Sequence, residues 1–324
     1  PRMVEISFLQ IAKLAELFFA SLISTASYTY YTFGNTIQLL PVGLFGISIA
    51  KASLPTLARQ SGDPEKFQGT LLKALYEVIF LVLPVAITLI VLRIPLVRLI
   101  YGTDIFGWEA TVQTGMVVSA FALGTVFQVS VALLSRGFYA LHDTKTPVII
   151  SIVSILITIL ADFFFIMRFG TGVWGLALAF SLGSMIQSMS LFYLINKKLN
   201  HLAFADIVRP LIKSIIAAAS SGVTMFLILK LFDRSVWIKR LSFLVKIEAA
   251  KNIPFEKFVL DTRYTLNLLV LTIFVTVIGA LVYIFVSIFL KSNEVWTFIG
   301  LARRFLIKHK ISPITPTPSD TNAT

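Results

Sequence analysis

The chain has 324 residues, 57% of them hydrophobic and only 14% charged, with a mean hydropathy of +0.87; a soluble globular protein is nearer a quarter charged. Its net charge of +12 does not point to nucleic acid, because Lys and Arg fall in short segments between apolar runs and form no basic face interleaved with exposed aromatics. Cysteine is absent, which excludes disulfides, thiol catalysis and Cys-ligated metals, and His142, His201 and His309 have no metal-ligand spacing.

Pro1 is followed by no charged n-region, short apolar core and cleavage site, and the chain enters its first apolar run almost at once, so it reads as a piece of something longer. Runs of roughly 20 apolar residues are what a helix needs to cross the hydrocarbon. Eight such spans are predicted, which makes the chain an all-α, polytopic integral membrane protein. The first runs from about Ile6 to Ile23 and carries Gln10, Lys13 and Glu16 along one helical stripe. The second, Tyr28 to Leu57, contains Pro41, Gly43, Gly46 and Pro55, residues that mark bends in membrane helices. Beyond the polar loop Ser61-Gly62-Asp63-Pro64 comes a third span, Leu71 to Leu92, and then the amphipathic stretch Ile94 to Tyr101.

The fourth span covers Thr111 to Leu134, and Ser135 to Pro147 reads as a loop. In that loop Thr146-Pro147 starts the next helix, with Pro as a tolerated first-turn residue. The fifth and sixth spans, Val148 to Met167 and Val173 to Ile195, are joined by a tight turn through Gly170 and Gly172. Leu211 to Leu231 and Tyr264 to Leu290 complete the set. The long segment between these last two, 232–263, mixes Lys and Arg with apolar residues and is expected to lie in the membrane interface. Residues 293–310 read as a second surface helix, amphipathic and cytoplasmic. Residues 311–324, rich in Pro, Thr and Ser, read as a disordered tail.

Orientation follows from the basic residues of the short loops. The loops at 58–73, 135–147 and 196–210, with the C-terminus, collect about thirteen Lys and Arg against roughly three in the opposing short loops. That side is therefore assigned to the cytoplasm, with 232–263 outside. The latter loop is itself basic, against the rule, but is partly offset by Asp233, Glu248, Glu256 and Asp261, and long loops weigh less.

An ionisable group inside the bilayer costs at least ~2.5–3.5 kcal/mol on insertion scales, so each needs a partner, a cavity or a function. Lys13, Glu16 and Asp162 meet that description, while Lys51 is near enough to a span end to snorkel. If the first and fifth spans face each other, Glu16, Asp162 and Thr158 would gather oxygen ligands for a small hard cation such as sodium. Alternatively one carboxylate would titrate and carry a proton, or Glu16 would simply pair with Lys13 and hold helices together. Gln10 and Lys13, with Asn35, Thr36 and Gln38 on the second span, are candidates to line a cavity and touch an anionic substrate, Lys13 being a natural point charge for phosphate. Gly124-Thr125 and Gly183-Ser184 read as close-packing positions. No cofactor is implied beyond a coupling ion. No catalytic constellation is present: neither a nucleophile elbow nor an HExxH helix occurs, so an enzyme is not expected.

Three stretches together resemble the MurJ/MviN family, flippases of the lipid-linked peptidoglycan precursor. Leu40-Pro41-Val42-Gly43-Leu44-Phe45-Gly46 through Ser53-Leu54-Pro55 is similar to its eighth helix. Arg136-Gly137-Phe138-Tyr139-Ala140-Leu141-His142-Asp143-Thr144-Lys145-Thr146-Pro147, with Arg136, Asp143 and Lys145 as its charged positions, resembles the loop between its tenth and eleventh. Gly172-Val173-Trp174-Gly175-Leu176-Ala177-Leu178-Ala179 resembles the start of its twelfth. The likeness is continuous from Pro1 to about Lys198.

The resemblance implies a two-lobed protein of fourteen helices in the bacterial inner membrane, of which this chain is helices seven to fourteen. Residues 1–198 would be the six-helix second lobe and 199–292 two added helices forming a groove for the substrate's polyprenyl tail. Its partners would be the bilayer, a lipid-linked precursor with a polyprenyl diphosphate, and a first lobe that is missing here. The family's membrane-embedded acidic positions fall on Glu16 and Asp162. Thr36 stands where many relatives carry a basic residue, so Lys13 or Lys51 would have to substitute. Competing readings are an exporter of another lipid-linked oligosaccharide, a cation-coupled antiporter of the same superfamily, and a non-transporting scaffold for cell-wall synthesis. The two helices after Lys198 favour the peptidoglycan flippase, and a buried Glu16 has no use in a scaffold.

Overall fold

The structure, a computed structural model, describes residues 2–103, 105–199, 204–232, 265–292 and 295. The expected long loop at 232–263 (Phe232 apart), the amphipathic segment 293–310 (Val295 apart) and the tail 311–324 lie outside the described residues. All regular structure among the described residues is helical. The helices are α1 Arg2–Ile23, α2 Ser27–Pro41, α3 Ser48–Arg59, α4 Pro64–Val91, α5 Arg93–Tyr101, α6 Trp108–Ala140, α7 Lys145–Phe163, α8 Trp174–Lys198, α9 Phe204–Phe232 and α10 Thr265–Phe289. Eight helical segments are long and apolar enough to cross a membrane, and they coincide with the eight predicted spans. The protein is thus a multi-pass, all-α membrane protein.

Local sequence explains the breaks. The second span is continuous from Ser27 to Arg59 but widens into a π-helical segment at Val42–Ile47, directly after Pro41. Pro41 has no N–H to give the ladder, and the Ser48 hydroxyl donates to the Gly43 carbonyl at 3.2 Å within the widened turn. A second π segment, Phe164–Arg168, ends the fifth span, and the turn after it passes through Gly170 at φ 59°, in the left-handed region that favours glycine. At the start of α4, Asp63 accepts a hydrogen bond from the Lys66 N–H at 3.2 Å, with Pro64 in the first helical turn.

One boundary differs from expectation. Residues expected to begin a loop at Ser135 remain helical through Ala140, because Gly137, Phe138 and Ala140 are buried and Phe138 packs with Leu71, Leu191 and Ile195. The helix stops at His142, which takes φ 58° while the N–H groups of His142 and Asp143 close back onto the carbonyls of Tyr139 and Phe138. This is the Schellman termination, here made without glycine.

The long α6 is the most buried span. Helices α2, α4 and α8 pack around it, α7 packs on α8, and α1 rests on α7. The α9–α10 pair docks on α4. In lipid the association rests on close van der Waals packing rather than on removing apolar surface from water. Gly124 on α6 brings the backbone against Ser181 of α8, whose hydroxyl donates to the Ala120 carbonyl at 2.7 Å. Gly183 on α8 accepts the Ser154 hydroxyl of α7 at its carbonyl, 2.6 Å away. The second of these contacts fixes α7, and with it Asp162, against α8.

Candidate functional site

The first helix is the least buried of the eight spans. Gln10 and Lys13 are exposed on it, alongside apolar Leu14 and Phe18. Glu16 is half-buried, one turn beyond Lys13 and within its electrostatic reach, though not within 4 Å as a direct ion pair. The Tyr31 hydroxyl of α2 lies near enough to Glu16 to act on it electrostatically, though no hydrogen bond joins the two. Tyr31 is 4% exposed, and its ring sits 5.2 Å from that of Phe121 on α6, in a cluster with Phe19, Ala20 and Leu176.

Asp162 completes the group. It is 1% exposed, and neither carboxylate oxygen has a hydrogen-bond partner. Glu16 and Tyr31 are both close enough to act on it electrostatically. A buried carboxylate without partners is among the most expensive groups in a membrane protein, and here a second carboxylate lies within electrostatic reach of it. The donor set is all hard oxygen, two carboxylates and a phenol, which fits a small hard cation. Among the described residues no group of three or more His, Cys, Asp or Glu gathers where it could hold a metal ion.

Thr158 is buried one turn before Asp162. It donates to the Ser154 carbonyl at 3.0 Å and packs against Gly183 of α8.

The second-span candidates separate. Thr36 is exposed, donating to the Thr32 carbonyl at 2.9 Å. Gln38 is fully buried, and its amide is saturated. Its oxygen accepts from Thr125 at 3.1 Å and from the Gln128 amide at 3.2 Å, while its nitrogen donates to Gln128 at 3.2 Å and to Asn35 at 3.3 Å. Gln38 therefore ties α2 to α6 at the level of the π segment, with Asn35 half-buried beside it.

In the stretch between α6 and α7, Asp143 caps the start of α7. It accepts from the Thr146 N–H at 3.1 Å and the Thr146 hydroxyl at 2.8 Å. Lys198, the last residue of α8, pairs with it at 2.8 Å. Burial pushes this carboxyl up, but the Lys198 ammonium and the two Thr146 donors outweigh burial and bring it down to about 2. The Arg136 guanidinium lies 5.7 Å over the Tyr139 ring, and Lys145 is exposed.

Tyr31, Thr125 and Gln128 were not among the expected site residues. Gln128 is an amide in the middle of an apolar span, a signal comparable to the buried charges. Tyr31, in the run Tyr28-Thr29-Tyr30-Tyr31, carries no such mark.

Comparison with known proteins fits this architecture. The lipid II flippase MurJ of Thermosipho africanus is 31% identical over 161 residues, covering 50% of this chain and 33% of that protein. A probable lipid II flippase MurJ of Synechocystis sp. is 33% identical over 192 residues, 56% of this chain and 34% of its own length. The chain thus spans less than half the length of such relatives. The solved structure of lipid II flippase MurJ in an inward closed conformation superimposes with a TM-score of 0.63 at 24% identity, covering 89% of this chain and 52% of that one. A MATE transporter structure matches with a TM-score of 0.53 at 15% identity; these superpositions show a shared fold. The sequence model of the family described as lipid II flippase MurJ matches residues 1–248, and the chain belongs to that family.

Proposed function

We propose that this chain forms the second lobe and the added helix pair of a flippase that carries lipid II, the lipid-linked peptidoglycan precursor, from the inner to the outer leaflet of the bacterial inner membrane. The observation that carries the reading is the family match, continuous over residues 1–248 and so running beyond the six-helix lobe into the seventh span. In this reading residues 1–198 rock against a first lobe, opening a central cavity alternately to either side. The C-terminus is cytoplasmic, as the basic short loops favour. Exposed Gln10, Lys13 and Thr36 on α1 and α2 would face that cavity, with Lys13 available to a diphosphate. The groove beside α9 and α10 would hold the polyprenyl tail.

Transport would be coupled to sodium taken up between Glu16 and Asp162. Asp162, buried and lacking any hydrogen-bond partner, is where such an ion is most needed.

The test is reconstitution. Vesicles containing this chain, fused behind a first lobe taken from a relative, should move labelled lipid II to the opposite leaflet, while the chain alone should not. Transport by the isolated chain would disprove the two-lobe reading, and a fused, inserted protein that moves no lipid II would disprove the substrate.

A further inference from the structure

The third span is apolar from Val78 to Leu92 save for Thr88, and the residue that follows is Arg93. Leu92 leaves helical backbone at φ −95° and ψ 18°, and α5 restarts with Pro95 in its first turn, where no N–H is owed to the ladder. The restart sits close on α6: a methyl group at Gly115 would meet Ile94 and the Arg93 stem. From there the guanidinium donates to the Ser119 hydroxyl, one turn farther along α6, at 3.4 Å. Helix α6 begins at Trp108 on the side where α4 ends, so that turn leads toward the middle of the membrane. A snorkelling arginine carries its charge to the nearer surface; Arg93 carries it the other way.

Nothing nearby neutralises the charge. Among the described residues no carboxylate lies within 4 Å of Arg93, and Ser119 is its one hydrogen-bond partner. Ser119 gives its own proton to the Gly115 carbonyl at 3.1 Å and so offers the guanidinium a lone pair, leaving most of the N–H donors of Arg93 unspent. Arg93 is half-buried, and the α6 residues one turn to either side of Ser119, Met116 and Leu123, are apolar and exposed. The charge therefore opens onto a surface of lipid-facing character.

We infer that Arg93 is the centre of a phosphate site, held in place by Ser119, which draws the head of an anionic phospholipid below the interface beside α5 and α6. An uncompensated cation at this depth calls for a partner of opposite charge. The guanidinium fork matches two phosphate oxygens at once, as a lysine ammonium does not. The bilayer itself supplies such heads, with acyl chains to lie along Met116 and Leu123. By the orientation of the basic short loops, the leaflet is the outer one. A transported prenyl diphosphate carries the same chemical group, but the function proposed above places it at Lys13. The phospholipid site is separate from that function and holds if it fails.

The test is a lipid titration of thermal unfolding, measured on the purified chain in a neutral detergent. Dioctanoyl phosphatidylglycerol should raise the unfolding temperature and define a half-saturating mole fraction. Dioctanoylglycerol, with the same chains and no phosphate, should have no such effect. Arg93→Gln should raise the half-saturating mole fraction about tenfold, the effect of losing one charge-assisted contact. Arg93→Lys, which keeps the charge and loses the fork, should raise it about threefold, and it decides the matter should Arg93→Gln fail to fold. Arg98→Gln, exposed on the same helix, should leave it unchanged. Were Arg93→Gln to shift the lipid-free unfolding temperature with an unaltered half-saturation, Arg93 would merely tie α5 to α6 and the inference would be overturned. An Arg93-dependent response to inorganic phosphate alone, or to farnesyl diphosphate at a lower mole fraction than phosphatidylglycerol, would overturn the phospholipid as occupant. None of these readouts depends on lipid II transport, so failure here and failure of the proposed function are told apart.

Discussion

Asp162 on α7 and Glu16 on α1 stand within electrostatic reach of each other, and the first is sealed from solvent with both carboxylate oxygens lacking hydrogen-bond partners. Close packing imposes this. Helix α7 is fastened to α8 by the Ser154–Gly183 bond, and α1 rests on α7, so the carboxylate can escape only by local rearrangement.

Replacing Asp162 should therefore stabilise the ion-free protein. A buried, unsatisfied polar group costs about 1–3 kcal/mol, so Asp162→Leu is expected to gain on that order in sodium-free detergent while abolishing any response to sodium. Thermal unfolding with and without sodium checks this. A less stable, still sodium-responsive variant would mean that Asp162 has partners and does not bind the ion.

The amide pair Gln38–Gln128 makes the opposite prediction. Each side chain satisfies the other, so Gln38→Leu or Gln128→Leu alone leaves an orphaned amide between α2 and α6 and should cost about 1–3 kcal/mol. The double variant should cost less than the sum, with a coupling of about 0.6–1.7 kcal/mol, the range seen for hydrogen bonds between membrane helices. Strict additivity in a double-mutant cycle would show that the pair does not hold α2 to α6.

At Gly183 a methyl group would overlap the Thr158 hydroxyl. Gly183→Ala should push α7 from α8 and destabilise by about 1–3 kcal/mol, the usual cost of overpacking. It should also weaken sodium binding, because Asp162 sits one turn beyond Thr158 on the displaced helix. Unchanged stability would show that Thr158 turns aside at no cost.

The contrast between these groups shows what was legible in the sequence. The eight spans were, since about 20 consecutive apolar residues are a purely local signal. Glu16 and Asp162 were too, because a charge inside an apolar run has few bland explanations. The end of α6 was not: its turn residue is His142 rather than glycine, so the local punctuation is absent and only the burial of Phe138 keeps the chain helical to Ala140. Tyr31 and the partner of Gln128 were hidden for another reason. Gln128 meets Gln38 across 90 residues of sequence, and Tyr31 stands within electrostatic reach of Glu16 and Asp162, which lie on two other helices. Periodicity says which face of a helix is polar, not which helix it meets.

Asp143 makes stability depend on pH. Its carboxyl is held down at about 2 in the folded chain against an ordinary value of about 3.9. A depressed carboxyl stabilises above the unfolded value, and that contribution is lost as pH falls from about 4 to about 2. Lys198→Met should remove part of it, shrinking the drop in unfolding temperature across this window. A variant with an undiminished drop would show that the Asp143–Lys198 pair carries none of it.

The central claim is that this chain is the second lobe of a lipid II flippase coupled through Glu16 and Asp162. The most direct measurement is rescue: deplete a bacterium of its own flippase, supply this chain fused behind a relative's first lobe, and follow lipid II at the outer face of the membrane. The account predicts that the fusion restores outer-leaflet lipid II and growth, and that stably inserted Glu16→Gln and Asp162→Asn versions do not. A properly inserted fusion that leaves lipid II on the inner face would contradict the substrate, and rescue by all three proteins would contradict the coupling role of the two carboxylates.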